Sequence, residues 1–144
     1  MQRILITFVL PLLFFVPACS NNNPQGRVAV KGDVALEGNP INEGSIQFES
    51  LPGSQPAVIT GGTIQLGKFS ISATDGLVPG LEYTVRIRSM AEVPGNPVTR
   101  SAGPMSRIQG QYRDIIPPQF GKNSTLTFTA TKKSPNIFQV DMKP

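Results

Sequence analysis

Apolar and polar positions alternate with a period of two through most of this chain. From Arg27 to Glu37, Val28, Val30, Val34 and Leu36 share one parity, while Arg27, Lys31, Asp33 and Glu37 share the other. Successive side chains of a strand point to opposite faces, so the pattern predicts a strand with one buried face. Gly32 falls on the inner parity, which marks a bulge or a close approach by another strand. The same reading predicts strands at Ser45 to Glu49, with Ile46 and Phe48 inward, and at Lys68 to Ala73, with Phe69 and Ile71 inward. Ala57 to Thr60 and Thr63 to Leu66 read as short strands separated by Gly61-Gly62. Glu82 to Ser89 gives the clearest alternation, with Tyr83, Val85 and Ile87 inward and Glu82, Thr84, Arg86 and Arg88 outward. Two further strands follow: Ser124 to Thr131, with Leu126, Phe128 and Ala130 inward, and Asn136 to Lys143, with Phe138, Val140 and Met142 inward.

Turn residues punctuate these runs at Gly38-Asn39-Pro40, across Leu51 to Pro56, and at Asp75-Gly76 and Pro79-Gly80. Met90 to Lys122 breaks the rhythm: it holds Pro94, Pro97, Pro104, Pro117 and Pro118 and only scattered apolar residues. Connections this long are uncommon in compact domains unless they carry a function, so residues 90–122 are read as an irregular segment. No helical period occurs after Cys19. Eight short runs predict an all-β domain, and their spacing points to a single seven-stranded Greek-key β-sandwich over residues 27–143.

The first residues follow another pattern. Arg3 precedes an uncharged apolar run from Ile4 to Val16, which is followed by Ser20-Asn21-Asn22-Asn23-Pro24. A membrane-spanning helix needs about 20 apolar residues. This run is shorter and suits the hydrophobic region of a signal peptide. The stretch Val16-Pro17-Ala18-Cys19 resembles the lipobox of bacterial lipoproteins, with Pro17 departing from the usual pattern. That resemblance implies cleavage between Ala18 and Cys19, a thioether-linked diacylglycerol on Cys19 and acylation (palmitate) of its new amino group. One lipid chain holds marginally and two or three hold firmly. Residues 1–18 are thus read as a cleaved signal peptide and 19–26, rich in Asn, as a flexible tether. The protein is expected to be exported and held at the cell envelope by lipid.

Composition narrows the chemistry. The chain has 144 residues, one cysteine, no histidine, no tryptophan and a net charge of +4. A lone cysteine in an exported protein has no disulfide partner, which leaves Cys19 to the lipid. The basic residues are dispersed, so no nucleic-acid patch is visible. Without histidine there is no imidazole base or imidazole metal ligand. No serine sits in a Gly-x-Ser-x-Gly elbow, and the nine acidic residues lack the spacing of a calcium loop. Neither a catalytic residue, a metal nor a cofactor is expected.

Three stretches carry a family resemblance. They are Val28 to Ile41 with Gly44-Ser45-Ile46-Gln47-Phe48, Gly67-Lys68-Phe69-Ser70-Ile71, and Gly76 to Ile87 with its Pro79-Gly80-Leu81-Glu82-Tyr83-Thr84-Val85 core. Together they resemble the carboxypeptidase-regulatory-like, transthyretin-like (prealbumin-like) β-sandwich modules. With the lipobox and the late Ile116-Pro117-Pro118-Gln119-Phe120 and Ser124-Thr125-Leu126-Thr127-Phe128 stretches, the chain is similar to small exported lipoproteins of planctomycete-type bacteria. The resemblance implies a non-enzymatic module. Transthyretin-like ureide hydrolases depend on histidines, which this chain lacks. Some related surface modules carry a Lys–Asn/Asp isopeptide bond, for which Lys31, Asp141 and Glu49 are the available trio. Lys31 and Asp141 both fall on outward parities.

The expected function is a lipid-anchored cell-envelope module with a structural or protein-interaction role. The alternative is carbohydrate binding through the 90–122 segment, where Tyr112 and Phe120 are the aromatic candidates and Arg100, Arg107 and Arg113 the neighbouring cations. Glycan sites need exposed aromatic platforms, and Tyr83 belongs by parity to the core. The exposed row Thr125, Thr127, Thr129 and Thr131 is read as a solvated strand face.

Overall fold

The computed structural model describes Asn23 and residues 26–92, 99–100, 108–109 and 112–144, with the backbone alone at 99–100 and 108–109. The signal peptide, Ala18, Cys19 and Arg107 lie outside the described residues, as does the side chain of Arg100.

Twelve strand segments and no helix make up the described residues: β1 Val30–Leu36, β2 Asn39–Pro40, β3 Glu43–Ser50, β4 Ile59–Gln65, β5 Lys68–Ile71, β6 Glu82–Arg88, β7 Met90–Glu92, β8 Thr99–Arg100, β9 Ile108–Gln109, β10 Tyr112–Asp114, β11 Thr127–Thr129 and β12 Asn136–Met142. Eight of them form one sheet in the order β11-β6-β3-β4-β5-β1-β12, with β2 added to β1. All pairings are antiparallel except that of β1 with β12, which run parallel over seven register pairs from Val30↔Asn136 to Leu36↔Met142. The sheet curls on itself. β4 and β5 pair only at Gln65↔Lys68, and the strands at the two ends of the order meet across the core, where Phe128 of β11 and Phe138 of β12 lie 5.6 Å apart.

Every inward residue read from the alternation is in the core or packed against it. Val30, Val34, Ile46, Phe48, Ile64, Tyr83, Val85, Ile87 and Met142 are fully buried, and Leu36, Leu126, Phe128 and Val140 pack against them. Phe48 is the hub. Its ring lies 6.1 Å from Phe69, 5.9 Å from Phe128 and 5.7 Å from Phe138, tilted or edge-on to each. Such geometry sets the positive ring edge against the negative face. The Tyr83 hydroxyl accepts a hydrogen bond from the Val78 amide at 2.8 Å and lies 3.3 Å from its carbonyl. Burial pushes the phenol above its usual pKa, so it stays neutral and tethers the Val78–Gly80 turn to β6.

Four expectations are corrected. Gly61 and Gly62 do not separate a pair of short strands; both lie inside β4, paired with Gln47 and Ile46. A Cβ on Gly61 would sit 2.5 Å from the Ile46 carbonyl oxygen, and one on Gly62 would sit 3.2 Å from Ile71. The glycines answer to crowding, not to a turn. The strand expected at Ser124 to Thr131 shrinks to Thr127–Thr129, because Ser124 turns its hydroxyl onto the Val85 carbonyl instead of continuing the ladder. The first strand is regular only from Val30, Val28 being joined to Leu77 by an isolated bridge. Finally, the 90–122 segment is not irregular throughout. β7 pairs with β10 (Met90↔Asp114, Ala91↔Arg113, Glu92↔Tyr112) and β8 with β9 (Thr99↔Gln109, Arg100↔Ile108). Its base is pinned where Asp114 Oδ1 accepts from the amides of Ser89 and Ile116, while Ser89 Oγ donates to the Glu43 carbonyl at 2.6 Å.

Candidate functional site

The outward residues of β4, β5, β1 and β12 form an open groove of about 690 Å³. The register sets out its floor in two rows. Gln65, Lys68, Asp33 and Gln139 are successive cross-strand partners, and Ser70, Lys31 and Ile137 form the next row. Parity alone aims these side chains outward. Asp33 is the electrostatic centre. Lys68 Nζ donates to its Oδ1 at 2.7 Å, and Gln139 Nε2 donates to its Oδ2 at 3.1 Å. The hydrogen bond from Lys68, then that from Gln139, holds the Asp33 carboxyl below the usual carboxylate range. Its pairing is therefore intact at neutral pH and fades only as acid protonates it. A carboxylate so held is a weak proton acceptor, and what the row offers is recognition by fixed donors and acceptors.

The groove continues into a depression of about 400 Å³ beside Pro40, Leu66 and Val140. Two large apolar side chains are displayed at its margins: Leu66, 75% exposed, and Ile137, 53% exposed. Leu66 and Gly67 have φ of 49° and 76°, the two positive values of a type I′ hairpin turn, which favours Asn-Gly. A leucine in the left-handed region is strained, and Leu66 buries almost nothing in return. Residues that break a local rule without local gain concentrate at functional positions. Leu66→Asn is expected to raise stability by about 1 kcal/mol, read as a higher urea midpoint at unchanged slope; a lower midpoint would refute the strain argument.

The residues singled out in the sequence are dispersed. Tyr112 is 47% exposed on β10 and Arg113 beside it is exposed. Phe120 instead packs against the hydrophobic core. The side chains of Arg100 and Arg107 are not described. Nothing described brings Tyr112, Phe120 and Arg113 onto one concave surface. Lys31 and Asp141 are both exposed and stand four ladder positions apart, opposite Ile137 and Ala35, and Glu49 is paired with Arg86. This places the isopeptide trio apart. The threonine row is exposed, as read. Among the described residues no group of three acidic or sulfur ligands is placed to hold a metal. Asn23 folds back on Arg27 through two side-chain to backbone hydrogen bonds of 2.7 and 2.8 Å, so that stretch of the tether is pinned to the domain.

The groove residues escaped sequence reading because outward polar side chains look like ordinary solvated surface. One signal was present: Ile137 is an apolar residue on an outward parity. The chain matches no family model, no curated protein and no solved structure.

Proposed function

We propose that this chain is an exported module held at the cell envelope by lipid on Cys19, and that its folded domain works by binding a protein partner, with no chemistry on a substrate. In this reading the curled sheet is a β-sandwich of the transthyretin and carboxypeptidase-regulatory type. The observation that carries the binding role is the open groove over β4, β5, β1 and β12. It joins a fixed Lys68–Asp33–Gln139 row to two displayed apolar side chains, Leu66 and Ile137. Polar groups set register and apolar anchors supply affinity at protein interfaces. The carbohydrate alternative loses support because Phe120, one of its two aromatic platforms, is turned to the core.

Two variants test the two halves of the proposal. Cys19→Ala is expected to move the protein from the membrane fraction to the soluble fraction; equal membrane retention would end the lipid reading. Ile137→Glu is expected to leave the melting temperature within a few degrees and to abolish co-purification of whatever envelope protein the wild type retains. Undiminished capture by Ile137→Glu would remove the groove from the function.

A further inference from the structure

A second depression, of about 410 Å³, opens on the outward face of β3 and β6, beginning one strand beyond the groove, where Ser45 pairs with Thr63 of β4. Ser45, Gln47, Arg86, Arg88 and Lys122 line it. Ser45 lies opposite Arg88 and Gln47 opposite Arg86, so two arginines stand on one strand against two uncharged polar side chains on the next. Lys122 comes from the turn after Phe120, whose carbonyl accepts from the Ile87 amide at 2.9 Å and so fixes that turn beside the end of β6.

Charge at this face does not balance. Glu49 takes one guanidinium nitrogen of Arg86. The Arg86 Nε–H is shut away from solvent with no acceptor among the described residues. Arg88 and Lys122 are exposed and form no salt bridge among the described residues. Of the other carboxylates, Glu43 is the next outward position beyond Ser45 on β3, and Asp114 is engaged by the amides of Ser89 and Ile116. Neither lines the depression. Three cations thus face one engaged carboxylate. Every lining side chain can donate a hydrogen bond, and none is acidic.

We propose that this depression binds a phosphate monoester in its dianionic form. A monocarboxylate would satisfy one guanidinium and leave charge over. Two negative charges match the surplus left once Glu49 is counted, and a phosphoryl group accepts from several donors at once, as forked guanidinium groups favour. The shared chemistry is the phosphoryl dianion, whether free in solution or carried by a lipid headgroup.

The test is titration calorimetry of the purified full chain carrying Cys19→Ala, so that no lipid anchor drives membrane binding, with glycerol phosphate, and separately its flotation with vesicles containing phosphatidic acid against neutral vesicles. Saturable binding in either arm, weakened about tenfold or more by Arg88→Gln with Lys122→Gln and unchanged by Lys132→Gln, supports the site and identifies the source. Both substituted residues are exposed, so the fold survives. A monoester phosphate loses its second proton at about pH 6, whereas sulfate is dianionic throughout. Affinity for glycerol phosphate should therefore rise relative to that for sulfate between pH 5.5 and 7.5. Glu43, Glu49 and Asp114 act equally on both probes, so the ratio isolates the second charge. No binding in either arm, binding indifferent to the double variant, or a ratio flat with pH would overturn the proposal.

Discussion

Gly32→Ala is expected to prevent native folding, although it adds one methyl group. β1 has β5 on one side, where Gly32 faces Phe69, and β12 on the other, where it faces Phe138. A Cβ built on Gly32 would lie 1.6 Å from the Phe138 carbonyl oxygen, 2.6 Å from its carbonyl carbon and 3.1 Å from its nitrogen. All three are backbone atoms, so no rotamer relieves the clash. β12 must move away, which breaks the ladder around Phe138 and withdraws that ring from its contacts with Phe48, Phe69 and Phe128. Disruptions of this kind fall in the tail above about 4 kcal/mol, against a total stability of about 5–15 kcal/mol. Far-UV circular dichroism and soluble yield provide the check. A Gly32→Ala protein melting within a few degrees of wild type would disprove the close β1–β12 pairing.

Phe48→Ala should be the most damaging truncation in the core, costing about 3–5 kcal/mol. Phe48 is fully buried and touches rings from β5, β11 and β12. Its removal therefore opens a void that no single neighbour can fill, and it takes away the ring against which both Phe128 and Phe138 pack. Tyr112→Ala, at an exposed position on β10, should by contrast shift stability by less than about 0.5 kcal/mol. Urea unfolding of the two variants separates these outcomes. If Phe48→Ala cost no more than Tyr112→Ala, the aromatic cluster would not be what joins the sheet ends.

The face each strand buries was legible because parity is a local property. Val34, Ile46, Phe69, Tyr83 and Phe138 each announce their side through the polar residues next to them. Gly32 was legible too, since a glycine on an inward parity needs a reason. What escaped depends on partners far along the chain. Glycine at 61 and 62 is a turn signal in isolation, and only the nearness of Ile46 and Ile71 gives it another cause. The pairing of Met90–Glu92 with Tyr112–Asp114 joins short segments with too few residues to show alternation. The parallel pairing of β1 with β12 leaves no mark in either strand, because register over such a separation is set by the assembled core. Of the groove, Asp33, Lys68 and Gln139 become a group only when three strands lie side by side. The strain at Leu66 is invisible in a sequence where Leu-Gly is unremarkable.

The parallel pairing of the first and last long strands has a mechanical consequence. Strain applied between the start of β1 and the end of β12 pulls the two strands lengthwise past each other. Their seven register pairs then resist together in shear; they do not open one by one. Forced unfolding is governed by the barrier to that event and not by equilibrium stability. A load applied at the two ends of the domain therefore meets all seven pairs at once.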